Sequence, residues 1–196
     1  MFEIYLNSIQ SLTGDWTWTV ILGTLSMRTL LITPLQISVR SRIKRYESIK
    51  PLMSSWTSSH IKQSKKDVFK REIYQKYNCS PLKTIGLSLA QLPVFIGMSY
   101  SIHNIMSNTH SPTFLWINDP SLMDPSHILP IALGGIHLLN FSTYNTLVSS
   151  RYSKILGPIV SFSMIPISTF VPTGILLYWI TSALHALVTN IIQSQA

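Results

Sequence analysis

The feature that most constrains this chain is a row of five apolar stretches, over residues 16–39, 85–105, 128–148, 155–171 and 173–192. Crossing ~30 Å of hydrocarbon takes about 20 helical residues, and each stretch is close to that length. A backbone inside a bilayer satisfies its own polar groups only as a helix or a closed barrel. Continuous apolar runs without strict alternation select the helix. Charged residues are 11% of the chain, less than half the roughly 25% of a soluble domain, and mean hydropathy is +0.28. A water-soluble globule lacks its charged shell here, and disorder would need more charge and fewer aromatics. One cysteine excludes an intrachain disulfide and a multi-thiolate metal site. The expected fold is an all-α membrane protein of five transmembrane helices, with residues 1–196 as a single domain.

Charge is segregated along the chain. Of 15 Lys and Arg, 12 lie between Arg40 and Lys83, against the acids Glu47, Asp67 and Glu72. Elsewhere Arg28, Arg151 and Lys154 stand against Glu3, Asp15, Asp119 and Asp124. Five crossings put the 40–83 loop and the Arg151–Lys154 loop on one side. The N-terminus and the 106–127 loop, which hold no Lys or Arg, fall on the other. By the positive-inside rule the basic side is the cytosol or the mitochondrial matrix, with the N-terminus outside and the C-terminus inside. Trp16 and Trp18 then suit an interfacial aromatic belt at the outer end of the first span. Residues 1–15 have neither the basic start and apolar core of a secretory signal nor the arginines of a transit peptide. Targeting is therefore internal, or the chain is a mature or organelle-made one. Neither a repeat of 20–50 residues nor a low-complexity tract occurs.

Within the basic segment Val39, Ile43, Tyr46, Ile49, Met53 and Trp56 recur at spacings of three and four, a helical stripe. Pro51 predicts a kink or restart. Phe69, Ile73 and Tyr77 form a second stripe on a helix from about Lys65 to Tyr77, with the Ser-rich stretch from Ser54 to Ser64 between the two. Helices this short do not stand alone in water, so they are expected to pair as a cationic hairpin over the membrane face, residues 40–83. Ser80 is expected to cap the next helix, with Pro81 at its first position. In a soluble protein such a basic block would suggest nucleic acid; between membrane spans it does not, and no nucleic-acid partner is expected. The cations either fix topology and meet anionic headgroups, at about 1 kcal/mol each, or form a docking surface for an acidic segment: a nascent chain, a ribosome or a partner protein.

Arg28 lies about twelve residues into the first span. A central arginine costs ~2.5–3.5 kcal/mol on insertion scales, so it faces a bundle interior or a wet cavity. No Asp or Glu lies at comparable depth in any span. Arg28 thus lines a hydrated cavity or bonds carbonyls freed by the prolines. In a half-open groove it would attract a carboxylate from outside, gaining about 4 kcal/mol at 4 Å with an effective dielectric of ~20.

Other chemistry is thinly represented. His137 and His185 lie in spans three and five without ligand spacing and are expected to be hydrogen-bonded packing residues, so no metal and no cofactor is expected. The seven methionines show no clustering and fill the core. Lys76 and Lys83 would lower the pKa of Cys79, although a plain helix-entry role is the expectation. The sequons at Asn78 and Asn140 fall on the inner side or in a span. G-x-S-x-G, H-E-x-x-H, paired-carboxylate and nucleotide-binding motifs are missing from the sequence, so an enzyme is not expected. A small anion transporter or channel would need internal symmetry, and none is visible.

Over nearly the whole chain the sequence resembles the YidC/Oxa/Alb membrane-protein insertases. The likeness is carried by ILGTLSMRTLLITPLQ in the first span, Asn78 to Met98, Phe114 to Pro130, and VPTGILLYWITSAL from Val171 to Leu184. Asn-Cys-x-Pro-x-Lys at Asn78 to Lys83 is similar to the mitochondrial branch that assembles cytochrome c oxidase. The resemblance implies a five-helix core with a hydrophilic groove, closed on the outer side, in the mitochondrial inner membrane with the N-terminus in the intermembrane space and the C-terminus in the matrix. It implies Arg28 as the groove arginine, Trp179 as a groove aromatic, and a weaker place for Gln91; Pro34 and Pro93 also match. It further implies a substrate-capturing basic hairpin bearing Arg40, Arg42, Lys44, Arg45, Lys65, Lys66, Lys70 and Arg71.

The implied substrates are hydrophobic membrane proteins with acidic tails, above all the C-terminal domain of oxidase subunit two, with the bilayer and oxidase assembly factors as further partners. A general insertase for several inner-membrane proteins is the alternative within the family, and the anion transporter the alternative outside it. Ribosome docking is not expected, because the chain stops soon after the fifth span without the family's basic tail. On this reading Arg28→Glu impairs export of acidic tails more than Arg28→Lys does, measured by protease protection of a labelled tail; equal export by both variants would exclude an electrostatic role.

Overall fold

The computed structural model describes residues 1–57, 63–108, 116–145 and 151–195. In chain order its helices are α1 (Phe2–Thr13), α2 (Trp16–Met27), a π-helical turn (Arg28–Ile32), α3 (Thr33–Thr57), α4 (Gln63–Lys76), α5 (Pro81–Leu89), α6 (Leu92–Asn108), α7 (Ile128–Asn145), α8 (Arg151–Ser168) and α9 (Thr173–Gln195). Among the described residues there is no strand, only an isolated antiparallel bridge between Met123 and Pro172. The fold is all-α and of membrane type. Three helical stretches are long and apolar enough to cross a bilayer, Trp16–Trp56, Pro81–Asn108 and Thr173–Gln193, and two apolar helices are shorter, Ile128–Thr143 and Gly157–Ser168. The chain forms two compact units, Met1–Leu31 with Pro93–Ala196, and Ile32–Leu92.

The first unit is built around Leu6, Val20, Met98, Ile102, Leu133, Leu176 and Tyr178, all nearly inaccessible. The apolar pattern alone predicts no element before residue 16, yet α1 forms there. Phe2, Tyr5, Leu6 and Ile9 return at helical spacing and pack on the core. The Tyr5 hydroxyl donates to the Gly23 carbonyl at 2.9 Å and meets the Ser26 hydroxyl at 2.6 Å, fastening α1 to α2. Asp15 caps α2, its Oδ1 accepting from Thr17 N at 2.6 Å. Helices α7 and α8 lie close because Gly134 and Gly157 face Ile165 and Phe141; an added Cβ would come within 2.5 Å of either side chain. Small residues at such crossings are how apolar helices approach in lipid, where no hydrophobic drive separates one partner from another.

The loop before α7 is locked by Asp124, 2% exposed. Its Oδ1 accepts from Trp116 Nε1 (3.0 Å), Ser126 N (3.0 Å) and Ser126 Oγ (2.7 Å), and its Oδ2 accepts from Leu129 N (2.8 Å). The same loop holds the start of α9: Thr173 N and Oγ1 donate to the Leu122 carbonyl at 2.8 and 2.7 Å, and Gly174 N donates to Pro120 O at 2.9 Å.

The second unit pairs α3 with α4 through Ile49, Met53, Ile73 and Cys79, flanked by Tyr46, Phe69 and Tyr74. Trp56 stacks on Phe69 with ring centroids 3.9 Å apart. Helix α3 runs through Pro51, where a kink or restart was expected, without a restart. Two expectations need correction. Tyr77 is exposed and Tyr74 packs in its place, because α4 ends at Lys76 and Asn78 turns the chain at φ 48°. The Ser80 hydroxyl makes no cap bond to α5, although Pro81 does open that helix. The expected Ser-rich separator falls partly at 58–62, outside the described residues.

Burial alone would raise the Asp124 carboxyl, but the bonds from Ser126, Leu129 and Trp116 outweigh it and hold the group below the usual carboxylate value. A folded pKa below the unfolded ~3.9 contributes stability that is complete above that value and is lost as pH falls through the folded one. Asp124→Ala should lower stability by about 2 kcal/mol at pH 7, since it orphans buried donors, and should flatten the acid limb of the melting curve below about pH 4. Thermal unfolding in detergent from pH 7 to pH 3 checks both; an unchanged profile contradicts the assignment.

Candidate functional site

The π-helical turn at Arg28–Ile32 has a local cause. Pro34 has no N–H, and its ring would collide with the carbonyl four residues back, at Leu30. A wider turn just ahead of it relieves the clash, and single π turns are recurrent at functional sites. The turn carries Arg28 and Thr29 toward α9. The Arg28 guanidinium lies beside Tyr178 of α9. The Thr29 hydroxyl donates to the Leu25 carbonyl at 2.8 Å and lies 3.2 Å from His185 Nε2.

Arg28 opens onto a cavity of about 470 Å³ within the first unit, lined also by Phe95, His137, Asn140, Met164, Ile167, Trp179, Ser182, Ala183 and Ala186. Its wall is mainly apolar, and no carboxylate is among its described lining residues. The polar groups that face it come from α7 and α9. Asn140 Nδ2 donates to the Ala183 carbonyl at 2.9 Å, and its Oδ1 accepts from Asn190 Nδ2 at 2.8 Å, tying the two helices beside the cavity. Trp179 is set by Phe95, 5.6 Å between ring centroids, and by a long bond from its Nε1 to Ser99 Oγ at 3.4 Å. An arginine against an apolar wall keeps more of its field than one on an open surface, because the low-dielectric wall screens it less than water does. Such a pocket accepts an anionic group whose neighbouring atoms are apolar.

Of the residues singled out from sequence, Arg28 and Trp179 line this one cavity, whereas Gln91 lies between α5 and α6 in the other unit and is not a lining residue. Arg40, Arg42, Lys44 and Arg45 lie on α3, and Lys65, Lys66, Lys70 and Arg71 on α4. Arg42 is already engaged: its Nη1 donates to Asn78 O at 3.1 Å and Asn78 Oδ1 at 2.8 Å, bracing the turn after α4. Cys79 is 1% exposed. Burial pushes its thiol up, outweighing Arg45 and Arg42, which agrees with the expected plain helix-entry role rather than with an activated thiol. His185 serves a contact between α9 and the π turn, and its buried Nδ1 has no partner among the described residues. No group of three His, Cys, Asp or Glu able to hold a metal occurs among the described residues.

Sequence reasoning missed Asn140 and Ser182 as cavity groups, and the buried Tyr178 next to Trp179. Tyr178, Ser182 and His185 recur at spacings of four and three along an otherwise apolar α9, which was the available signal.

Fold and cavity together define an all-α membrane protein with a cation set inside its helix bundle. The family model described as 60Kd inner membrane protein matches residues 8–196, and the chain belongs to that family. It is 27% identical over 191 residues to the membrane protein insertase YidC of Helicobacter pylori, covering 96% of this chain and 35% of that one. It is 29% identical over 193 residues to the YidC of Campylobacter jejuni, again 96% and 35%. It is 26% identical over 183 residues to the mitochondrial cytochrome c oxidase assembly protein cox18 of Schizosaccharomyces pombe, covering 90% and 91%. The chain thus spans about a third of the bacterial relatives and nine-tenths of the fission-yeast one. A crystal structure of an active YidC insertase superposes with a TM-score of 0.69 at 21% identity, over 99% of this chain and 45% of the other, a likeness of fold.

Proposed function

We propose that this chain is an insertase of the mitochondrial inner membrane that exports hydrophilic tails from the matrix, with the C-terminal domain of cytochrome c oxidase subunit two as its principal substrate. The observation that carries the reading is Arg28 on an apolar cavity without a carboxylate among its lining residues. An acidic tail entering there gains about 4 kcal/mol from a carboxylate at 4 Å with an effective dielectric of ~20, offsetting part of its desolvation. The apolar wall, Phe95, Met164, Ile167 and Trp179, suits the side chains between its acids.

The rest of the cycle follows from charge. The N-terminus lies in the intermembrane space and the C-terminus in the matrix, because the basic segment 40–83 stays on the inner side. There Arg40, Arg42, Lys44, Arg45, Lys65, Lys66, Lys70 and Arg71 meet anionic headgroups and gather acidic tails. Negative charge moving outward is favoured by ~2.3 kcal/mol per charge per 100 mV, so export draws on the membrane potential. The substrate's hydrophobic helix leaves into lipid. The name of the Schizosaccharomyces pombe relative, matched over nine-tenths of its length, supports the oxidase-assembly branch. Bacterial relatives named simply as membrane protein insertases support a second reading, a general insertase for several inner-membrane proteins.

Depletion from mitochondria followed by pulse-labelling of translation products separates the two. Loss of protease accessibility confined to the subunit-two tail is the expected result. Failure of several inner-membrane proteins together would favour the general insertase, and failure of none would overturn both readings.

A further inference from the structure

The second unit has a crevice of its own. Where α3 and α5 meet, a space of about 280 Å³ is lined by Arg42, Ile43, Tyr46, Cys79, Pro81 and Ile85, with Thr84 beside them. Arg42 follows the first apolar stretch, 16–39, by three residues, and Pro81 opens the apolar stretch Pro81–Asn108. The crevice therefore lies where both segments pass between hydrocarbon and water, at the level of lipid headgroups. Its charge is positive. Arg42 donates twice from Nη1, to Asn78 O at 3.1 Å and Asn78 Oδ1 at 2.8 Å, which fixes the guanidinium. Its Nε and Nη2 donors make no hydrogen bond among the described residues and are available to an outside acceptor. Arg45 and Tyr46, three and four residues on, share that face of α3. No carboxylate is among the described lining residues. Helix α5 starts without a side-chain cap from Ser80, so the positive end of its dipole adds to the arginine.

The other half of the crevice is apolar and continues outward. No residue of α5 is buried, and Leu82, Ile85 and Leu89, at spacings of three and four, are more than half exposed along one face. We propose that this crevice binds one anionic glycerophospholipid, with its phosphate on Arg42 and its acyl chains running past Ile43 and Ile85 along the α5 face. Guanidinium pairs with phosphate through charge-assisted bonds, and basic pockets between membrane helices on the inner side take anionic headgroups. A free phosphate ion would leave the apolar half unused, and an acidic peptide has no long tails to cover Ile85 and Leu89. This goes beyond a general attraction of the basic segment to the membrane surface: it is one lipid at one place, braced by the same arginine that holds the turn after α4. The inference does not depend on the Arg28 reading.

Native mass spectrometry of the full chain in micelles, titrated with phosphatidylglycerol or with phosphatidylcholine of the same acyl chains, tests it through the affinity of the first bound lipid. The chain should take up one phosphatidylglycerol in preference to phosphatidylcholine. Arg42→Gln should weaken that first site about tenfold, the scale of losing a hydrogen bond to a charged group. Ile85→Asn keeps Arg42 and its bonds to Asn78, and should weaken the site severalfold by wetting its apolar half, so the result does not hang on one variant's folding. Lys50→Gln removes an equal charge from the same helix outside the crevice and should leave the affinity unchanged. Equal uptake of the two lipids, equal losses in Lys50→Gln and Arg42→Gln, or full affinity in Ile85→Asn would overturn the inference. Displacement of the lipid by excess inorganic phosphate would overturn it in favour of a simple ion site, and displacement by a peptide bearing four Asp in favour of a polypeptide site.

Discussion

An arginine in a membrane-crossing helix is the constraint on which the rest of the first unit depends. Leaving Arg28 in hydrocarbon would cost ~2.5–3.5 kcal/mol or more, and the fold answers with space and partners. Pro34 widens the backbone into a π turn, the buried Tyr178 lies beside the guanidinium, and the cavity supplies room beyond. No carboxylate among the cavity-lining residues cancels the charge. Had an Asp stood on α7 or α9 at that depth, the helices would pack more firmly and the cavity would lose its attraction for an acidic segment.

The cost is met elsewhere in the unit by bonds that close it. Asp124 gathers four hydrogen bonds from the loop and the first turn of α7, while Thr173 and Gly174 bind the same loop to the head of α9. These contacts join the helices that bear Asn140 and Trp179 at the ends where their chains turn. Gly134 and Gly157 bring α7 against α8 at the other flank. The cavity is therefore bounded by helices whose mutual positions are fixed by polar bonds and close backbone approach, both effective where water cannot drive packing.

Much of this was legible in the sequence because it rests on one-dimensional signals. Apolar length marked the helices, charge segregation marked the basic segment, and the three-and-four spacing of Tyr46, Ile49, Met53 and Phe69, Ile73 marked the paired faces of α3 and α4. Arg28 stood out because charge at that depth is rare. What could not be read depended on partners distant in the chain. The α1 stripe was too short to separate from an unstructured lead-in until Gly23 and Ser26 were seen to receive Tyr5. Asp124 gave no sign of its cap, since its donors lie on both sides of it in an irregular loop. Tyr178 was hidden by its neighbour, because the motif pointed to Trp179 while the tyrosine lies buried beside the arginine. Cys79 went the other way: lysines near it in sequence suggested activation, and burial under Ile49 and Ile73 decided against it.

The central claim is that an acidic tail enters the cavity beside Arg28. A photoreactive residue at Ala186, on the cavity wall, and another at Ile159, 58% exposed on α8, would report it most directly when a substrate is stalled during export. The account predicts that the Ala186 probe crosslinks the acidic tail and loses that product when the tail's Asp and Glu become Asn and Gln, while the Ile159 probe captures lipid or the substrate's apolar helix. Tail crosslinks absent from Ala186, or undiminished by neutralising the acids, would contradict it.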